Sequence, residues 1–319
     1  MKHKLLLLSK LFDAGRALIE DSVECIDVWT NDVETAIQEH SDVQGIFLGN
    51  QKLPANVMDL CPHLRLIAKQ GSGFDNIDVA HATKKGIPIV ISSGVNATSV
   101  AEHVMMLTLA VNRNLLQYDE AVRSGNFAYR TSGKARECKG KTMGLVGFGN
   151  IGQEVARYAT VLGMKPVFYD PFFTGDSPDI AQAIDFDTLI RTSDIVSLHV
   201  PLTDATKGMI GHDEISKMKN GAVVINCSRG GVVDEEALYH GLVTGHIWGA
   251  GIDVFAQEPV NADNKLLTLE NVIVTPHSAA LTKESSDGMS TETAKGILAV
   301  FNNEQWVSVA NPKVYNKRV

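Results

Sequence analysis

Short apolar runs alternate with longer polar segments from residue 4 to about residue 94. The polar segments at 31–40 and 78–85 are long enough for helices. The apolar runs between such segments are KLLLLS, VECIDVW, GIFLG, LRLIAKQG and IPIVIS. Strand-length runs that alternate with helix-length segments are typical of βαβ units. The pattern therefore predicts a parallel sheet in this part of the chain.

A second series of the same kind begins at Thr142. Helix-compatible stretches separate its predicted strands, which lie near 142–147, 166–170, 195–199, 222–227, 248–253 and 272–275. A series of this length predicts a second, complete doubly wound unit. The expected fold class is therefore α/β, with two doubly wound parallel sheets.

Three further segments lie outside these two series. Residues 97–123 carry apolar side chains at helical spacing, which predicts one long helix with a hydroxyl from Ala97-Thr98-Ser99 as its N-cap. Residues 126–141 are polar and lack periodicity, so we expect an exposed connection. Residues 283–303 are again compatible with a helix.

The composition is that of a folded globular protein. The 319 residues suggest about two domains, with 44% hydrophobic and 21% charged residues. A net charge of −8 provides no general attraction to nucleic acid or to an anionic membrane surface. No stretch approaches the ~20 apolar residues of a bilayer-spanning helix. We therefore expect neither nucleic acid nor a membrane as a partner.

The cysteines indicate neither a metal site nor a disulfide framework. Cys25, Cys61, Cys138 and Cys227 lie far apart and form no CxxC pair. This spacing predicts no bound metal and a location in the reducing cytoplasm.

A glycine-rich motif follows the first strand of the second series. Gly147-Phe148-Gly149-Asn150-Ile151-Gly152 matches G-x-G-x-x-G and opens a predicted helix. In such a motif the first glycine permits a tight turn, the second lets a pyrophosphate approach the backbone, and the third lets helix and strand pack. A glycine-rich turn alone could serve chain geometry only, but strand, turn and helix together predict a dinucleotide site.

An acidic residue ends the next predicted strand. Asp170 follows Val167-Phe168-Tyr169, where a carboxylate can accept hydrogen bonds from both ribose hydroxyls of the cofactor. Pro171-Phe172-Phe173 come next, so no arginine stands ready for a 2′-phosphate. The sequence therefore predicts NAD as the cofactor, in preference to NADP.

Three charged or titratable residues follow later strands of the series. They are Arg229 in INCSRGGVVDEEAL, Glu258 in GIDVFAQEP and His277 in VIVTPHSAAL. Each alone has an ordinary structural explanation, but ligands of open parallel sheets bind at the strands' carboxyl ends. An imidazolium can protonate the alkoxide that hydride addition creates, and a carboxylate favours the protonated ring. A guanidinium can hold a substrate carboxylate. Together they suit the reduction of a 2-oxoacid.

These motifs resemble those of the D-isomer-specific 2-hydroxyacid dehydrogenases. The resemblance covers nearly the whole chain, and its most specific marks are GFGNIG, INCSRGGVVDEEAL, GIDVFAQEP and TPHSAAL, with KQGSGFDNID and GVNATSVAEH in the first part. It implies that Arg229 binds the substrate carboxylate, that Glu258 partners the acid, and that His277 donates the proton.

The resemblance also implies a domain arrangement and further contacts. A flavodoxin-like substrate domain of residues 1–100 and 287–319 would enclose a Rossmann NAD domain of residues 101–286. Family members are expected to be homodimers, and here helix 97–118 and connection 126–141 are reasonable interface material. The backbone amides of Ser72 and Gly73 would contact the substrate carboxylate. The implied cofactor contacts are Gly147, Gly149, Asn150, Ile151, Gly152, Asp170, Val200, Pro201, Cys227 and Asp253.

One departure bears on the substrate. Family members that act on 3-phosphoglycerate typically carry an arginine just after the third strand, whereas Gly45–Leu48 is followed here by Gly49-Asn50-Gln51-Lys52. Lys52 and Lys69 remain as possible anion contacts, but a lysine does not replace a bidentate guanidinium. The prediction is a small unphosphorylated 2-oxoacid such as hydroxypyruvate or glyoxylate, with D-3-phosphoglycerate dehydrogenase as the alternative.

Two other classes share this layout. Corepressors of the C-terminal-binding-protein type keep the dinucleotide site without needing turnover, and nothing in the sequence suggests a peptide groove. Formate dehydrogenases place a glutamine where Glu258 stands, because their reaction requires no proton donor. The carboxylate at 258 argues against formate as the substrate.

Overall fold

The computed structural model describes residues 2–317, which form two compact units. One unit combines the residues up to Asn96 with those from Leu281 onward, and the other is Ala97–Ala280. The expected boundaries after residues 100 and 286 differ from this division. They would cut through two helices, whereas the units divide just before each helix.

Twelve strands alternate with helices along the described residues. The strands are β1 (His3–Leu7), β2 (Val23–Asp27), β3 (Gly45–Leu48), β4 (Leu66–Lys69), β5 (Ile89–Ile91), β6 (Thr142–Val146), β7 (Lys165–Tyr169), β8 (Gln182–Ala183), β9 (Ile195–Leu198), β10 (Ala222–Asn226), β11 (Ile247–Ile252) and β12 (Val272–Val274). The two series predicted from the apolar runs are thus confirmed. Only the short strand β8 was not expected.

Helices lie between the strands, and those predicted within 31–40, 78–85 and 283–303 and after the glycine-rich motif are present. The helices are α1 (Asp13–Ile19), α2 (Val33–Glu39), α3 (Ala55–Met58), α4 (Val79–Lys85), α5 (Ala97–Asn112), α6 (Leu115–Arg123), α7 (Asn150–Val161), α8 (Phe186–Thr192), α9 (His212–Lys217), α10 (Glu235–Val243) and α11 (Lys283–Phe301). Short 3-10 turns cover Phe127–Thr131, Lys265–Thr268 and Pro312–Lys317. Among the described helices, none combines the length and apolar character that a bilayer crossing needs.

The first unit is built on a five-stranded parallel sheet. Its order is β2-β1-β3-β4-β5, the order of flavodoxin-like folds. Successive residues of β1 serve opposite faces, with Leu6 packing in one core cluster and Leu5 and Leu7 in the other. Helices α1 and α11 cover the second face. They approach so closely that a Cβ at Gly15 would lie 2.3 Å from the carbonyl oxygen of Ser290.

The second unit is built on a seven-stranded parallel sheet. Its order is β12-β11-β10-β9-β6-β7-β8. This is the Rossmann order with one additional strand. Strands β7 and β8 are added on one side of β6, and strands β9 to β12 are added on the other side, so the strand order reverses between β6 and β9. The predicted fold class, two doubly wound parallel sheets, is confirmed.

The segment 97–123 differs from its prediction. Two helices, α5 and α6, replace the single long helix, because Asn114 adopts a left-handed backbone with φ of 53°. Asparagine tolerates that conformation better than most residues, but a right-handed helix cannot run through it. The expected hydroxyl N-cap is also wrong. The helix begins at Ala97, so Thr98 and Ser99 lie in its first turn.

The connection 126–141 is largely exposed, as expected, but it is anchored near its end. The Arg136 guanidinium lies 3.7 Å from the centre of the Trp248 ring and donates a 2.7 Å hydrogen bond to the carbonyl of Gly221. Cys138 is buried. These contacts fix the connection to the amino ends of β10 and β11.

Candidate active site

The candidate residues of the second unit all follow the carboxyl ends of its strands. The glycine-rich turn follows β6, and Asp170 follows β7. Val200 and Pro201 follow β9, and Cys227 and Arg229 follow β10. Asp253 and Glu258 follow β11, and His277 follows β12. Because all the strands are parallel, these ends share one edge of the sheet. Ser72 and Gly73 follow β4 in the first unit.

The three glycines of the turn have different physical roles. Gly147 has a φ of 95°, and a Cβ there would lie 2.5 Å from the carbonyl oxygen of His199. A Cβ at Gly152 would lie 2.4 Å from the carbonyl oxygen of Gly147, so this position lets α7 pack against the turn. A Cβ at Gly149 would meet no protein atom within 4 Å. Protein packing therefore does not require glycine at 149, whereas a pyrophosphate close to the backbone would.

Asp170 is held beside the glycine-rich turn by its own hydrogen bonds. Its Oδ2 accepts from the Phe148 N–H at 2.9 Å, and its Oδ1 accepts from the Phe172 N–H at 2.9 Å. A carboxylate has about four acceptor positions, so both oxygens can still accept from ribose hydroxyls. The turn, the amino end of α7 and this carboxylate together fit the adenosine diphosphate half of a dinucleotide.

Two implied cofactor contacts lie in the middle of the sheet edge. The Pro201 carbonyl accepts a 2.6 Å hydrogen bond from Thr206 Oγ1, which fixes the loop after β9. Burial, with the nearby charge of Asp253, raises the pKa of the Cys227 thiol well above its ordinary value. Cys227 is therefore a neutral, apolar part of the wall.

Asp253 is fully buried at the end of β11, where it organises the segment after β12. Its Oδ1 accepts from Thr275 Oγ1 at 2.6 Å and from the Ser278 N–H at 2.8 Å, and its Oδ2 accepts from the Ala279 N–H at 3.0 Å. Its backbone carbonyl accepts from the His277 N–H at 2.8 Å. Asp253 thus holds the segment that carries His277, and its role as a cofactor contact stays a prediction.

His277 and Glu258 form a direct pair. The Nδ1 of His277 lies 2.7 Å from Oε2 of Glu258, and the Phe255 N–H donates to Oε1 of the same carboxylate at 3.1 Å. The two paired side chains are each 30% exposed. The pair is thus rigidly oriented while the ring remains accessible to a small molecule.

The surroundings of Glu258 favour its ionised form. Burial by itself raises the pKa of the Glu258 carboxyl, but the hydrogen bond and charge of His277, the Phe255 N–H and the charge of Arg229 together lower it below its ordinary value. The Glu258 carboxylate is therefore an ionised acceptor for the N–H on Nδ1 of His277.

Arg229 lies near this pair because two loops make backbone contact. A Cβ at Gly230 would lie only 1.8 Å from the carbonyl oxygen of Phe255, so the loop after β10 meets the loop after β11 only with glycine there. The side-chain amide of Asn226 donates to the Arg229 carbonyl at 3.0 Å. The structure therefore brings Arg229, Glu258 and His277 together, as the sequence predicted from their positions after strands.

Ser72 and Gly73 lie in a turn after β4. The turn begins at Gly71, whose φ is 107° and whose N–H donates to Ser92 Oγ at 2.8 Å. The Ser92 N–H donates in return to the Gly71 carbonyl at 3.1 Å. The hydroxyl of Ser92 thus holds the turn to the end of β5. The substrate-binding role of Ser72 and Gly73 stays a prediction.

Sequence reasoning missed several residues that support the site. Thr275 and His103 hydrogen-bond around Asp253, and Gln51 fills the space between loops of the first unit. Each is an ordinary polar residue whose partners are distant in the sequence. A helical repeat or a strand pattern contains no signal for such contacts.

Comparison with known proteins identifies the family. Residues 105–279 match the model of the NAD binding domain of D-isomer specific 2-hydroxyacid dehydrogenases. The chain belongs to this family, and the second unit contains its NAD-binding region.

The chain is similar to proteins with different named substrates. It is 43% identical over 249 residues to a hydroxypyruvate reductase of Thermotoga maritima, covering 77% of this chain and 80% of that protein. It is 40% identical over 255 residues to a D-3-phosphoglycerate dehydrogenase of Archaeoglobus fulgidus, covering 79% of this chain but 48% of that protein. The chain thus spans about half of the latter relative.

A solved structure shares the fold of the whole chain. It is the NADPH-dependent glyoxylate/hydroxypyruvate reductase of Sinorhizobium meliloti, solved with NADP and malonate. The TM-score is 0.88 at 27% identity, covering 98% of each chain. Since that protein uses NADPH, the fold itself does not decide between the two nicotinamide cofactors.

Two glycine substitutions should separate cofactor contact from packing. We expect Gly149→Ala to raise the Kd for NADH about tenfold or more, since it intrudes on the phosphate space, while unfolding free energy changes by less than about 1 kcal/mol. Gly152→Ala should instead cost about 1–3 kcal/mol of stability through its contact with Gly147. Fluorescence titration with NADH and thermal melting measure the two effects. Equal destabilisation by both variants would contradict this division of roles.

Proposed function

We propose that the protein reduces a small, unphosphorylated 2-oxoacid, such as hydroxypyruvate or glyoxylate, to the D-2-hydroxy acid with NADH. The observation that carries this proposal is the His277–Glu258 pair beside Arg229. These residues lie at the same edge of the second sheet as the glycine-rich turn. This arrangement supplies an acid, a partner for that acid and a carboxylate clamp at one place.

The proposal assigns a separate task to each part of the site. NADH, held by the glycine-rich turn, Asp170 and Asp253, supplies the hydride. Arg229 binds the substrate carboxylate and polarises the adjacent carbonyl, since a guanidinium can do both through its fixed set of N–H donors.

His277 supplies the proton. Its Nδ1–H donates to Glu258, so the Nε2–H of the imidazolium is the proton available to the developing alkoxide. Glu258 keeps the ring oriented and stabilises its positive charge before transfer. In the reverse direction the same neutral Nε2 accepts the hydroxyl proton.

The first unit supports an unphosphorylated substrate. Gln51 stands in the loop after β3, where phosphoglycerate enzymes are expected to carry arginine, and its amide is engaged. Its Nε2 donates to the Leu8 carbonyl at 2.9 Å, and its Oε1 accepts from the Gly49 N–H at 2.8 Å. Lys69 is buried, with Nζ donating to the Gln70 carbonyl at 3.1 Å, and Lys52 is exposed.

A phosphorylated substrate is the second candidate. The 40% identity to a D-3-phosphoglycerate dehydrogenase favours it, although the match covers about half of that protein. Glu258 weighs against formate as a substrate. A corepressor-like scaffold would have no need of the accessible acid pair.

Asp170 supports NAD in preference to NADP. Its carboxylate, fixed by Phe148 and Phe172, would repel a 2′-phosphate and accept hydrogen bonds from the ribose hydroxyls. Pro171 and Phe172 follow it, and neither can neutralise a phosphate.

Exposed apolar side chains on the second unit support a homodimer. They lie on α5, α6 and the following 3-10 turn, and they are Met106, Leu109, Leu115, Leu116, Val122 and Phe127. Such a concentration of exposed apolar residues is characteristic of an interaction surface. We propose that a second copy of the chain covers it. The four free thiols support a reducing, cytoplasmic location.

Steady-state kinetics with two substrates and two cofactors tests the proposed reaction. We expect kcat/KM to be at least about tenfold higher for hydroxypyruvate than for its 3-phosphate, since an unpaired phosphate forgoes roughly 1.5–3 kcal/mol. NADH should be preferred to NADPH with either substrate. A tenfold advantage of the phosphorylated compound would establish the alternative substrate, and equal efficiency with NADPH would contradict the role of Asp170.

The proton donor can be tested by separating turnover from binding. His277→Asn should abolish detectable reduction while leaving the Kd for NADH within about threefold, because the ring donates a proton and does not anchor the cofactor. Fluorescence titration measures binding, and NADH absorbance measures turnover. Near wild-type turnover in this variant would disprove the assignment.

Glu258→Gln tests the partner of the acid through the pH profile. Glutamine keeps a hydrogen-bonding group near His277 but removes the negative charge that lies 2.7 Å from Nδ1, and an opposite charge so close generally favours the charged form of its partner. We expect the alkaline limb of kcat/KM for reduction to move to lower pH. An unchanged limb would show that the carboxylate does not influence the proton donor.

The dimer can be tested by placing charge on its proposed interface. Met106→Glu combined with Leu109→Glu should produce a monomer in light scattering at micromolar concentration, because two buried carboxylates would oppose association. The matched control is Val161→Glu at the end of α7, where the side chain is 86% exposed. A monomeric wild type, or an unchanged mass for the double variant, would contradict the proposal.

A further inference from the structure

A chain of hydrogen bonds links helix α5 to the segment that carries His277. His103 Nε2 lies 2.9 Å from Thr275 Oγ1, and Thr275 Oγ1 lies 2.6 Å from Oδ1 of Asp253. The His103 and Asp253 side chains are 14% and 1% exposed. All three residues belong to the second unit, and none of the roles assigned above involves His103 or Thr275.

The direction of each hydrogen bond follows from the acceptors. Asp253 accepts backbone N–H groups from Ser278 on Oδ1 and from Ala279 on Oδ2, which is the pattern of an ionised carboxylate. The single Thr275 hydroxyl proton is therefore donated to Asp253. Its oxygen must then accept, so His103 carries its proton on Nε2.

His103 acts in this chain as a neutral donor. Burial lowers the pKa of its imidazole, against the opposing influence of the Asp253 charge. The ring therefore contributes one oriented N–H, not a positive charge. Neighbouring hydrogen bonds in such a chain polarise and strengthen one another in a region of low dielectric.

The segment after β12, which these hydrogen bonds hold, has an unfavourable backbone conformation at His277. His277 has a φ of 52°, a left-handed backbone that is uncommon for residues other than glycine and persists only where the surroundings impose it. The Asp253 backbone carbonyl accepts from the His277 N–H, and its carboxylate accepts from the N–H groups of Ser278 and Ala279, the two residues that follow. Thr275 donates to the same carboxylate, and His103 donates to Thr275.

We propose that His103 is a positioning residue for the proton donor, acting through Thr275 and Asp253 to hold His277 in its productive orientation. The inference rests on the proposed function, because it needs His277 to be the acid. Its prediction is specific. Loss of the His103 N–H or of the Thr275 hydroxyl should slow the chemical step more than it weakens NADH binding.

The test uses paired substitutions in the full-length protein. His103→Leu and Thr275→Val remove the hydrogen bonds, whereas His103→Gln and Thr275→Ser retain a donor at about the same place. The readouts are the single-turnover rate of NADH oxidation with saturating hydroxypyruvate, the Kd for NADH and the melting temperature. His246→Leu is the matched control, because His246 Nε2 bonds to the Ile215 carbonyl at 2.9 Å in the same unit.

We expect both deletions to lower the single-turnover rate about tenfold or more, as small misplacements of reacting groups can cost ~10²-fold. The Kd for NADH should change by less than the rate. The conservative variants should recover most of the lost rate. The His103→Leu/Thr275→Val double variant should be no slower than the slower single variant, because both act through one chain.

Any one of several results would overturn the inference. An unchanged single-turnover rate in the deletion variants would do so, as would a loss of rate matched by the loss of NADH affinity or an equal loss of rate in His246→Leu. A multiplicative effect in the double variant would show that the two residues act independently, which also contradicts it. The proposed function fails separately, since only retained turnover in His277→Asn disproves the acid.

Discussion

The parallel pairing of the strands is the constraint on which the site depends. In the second sheet every strand points the same way, so residues far apart in the sequence follow carboxyl ends at one edge. The reversal of strand order between β6 and β9 places the glycine-rich turn at the switch point. Asp170 then lies to one side, and Arg229 and His277 lie to the other. An extended dinucleotide fits such a division, with its two halves on opposite sides of the turn.

The carboxylates at this edge of the sheet are stabilised by nearby hydrogen-bond donors, and the same hydrogen bonds fix the positions of the loops. Asp253 is fully buried, yet backbone N–H groups and the Thr275 hydroxyl surround its carboxylate. The pKa of the Glu258 carboxyl lies below its ordinary value in spite of burial, because His277, the Phe255 N–H and Arg229 compensate for the lost solvent. A buried carboxylate needs such compensation. The same hydrogen bonds therefore satisfy these carboxylates and orient His277.

Close backbone contacts also fix how the loops at this edge lie against one another. The carbonyl of His199 closes on Gly147, and the carbonyl of Phe255 closes on Gly230. Any side chain at these glycines would push apart the loops after β6 and β9, or after β10 and β11. Gly147 and Gly230 thus serve packing between loops, whereas a Cβ at Gly149 would meet no protein atom within 4 Å.

The sequence by itself determined the fold class, the two strand series, the dinucleotide turn and the residues that follow the strands. These features depend on local periodicity and on motifs within a few residues, so no distant contact is needed to recognise them. It placed Arg229, Glu258 and His277 at one edge because parallel topology alone implies that placement. Only the tertiary structure decided the helix break at Asn114, the hydrogen bonds of the Gln51 amide and the series of hydrogen bonds from His103 to Asp253. These depend on where distant backbone groups meet, and a one-dimensional pattern does not contain the distances between them.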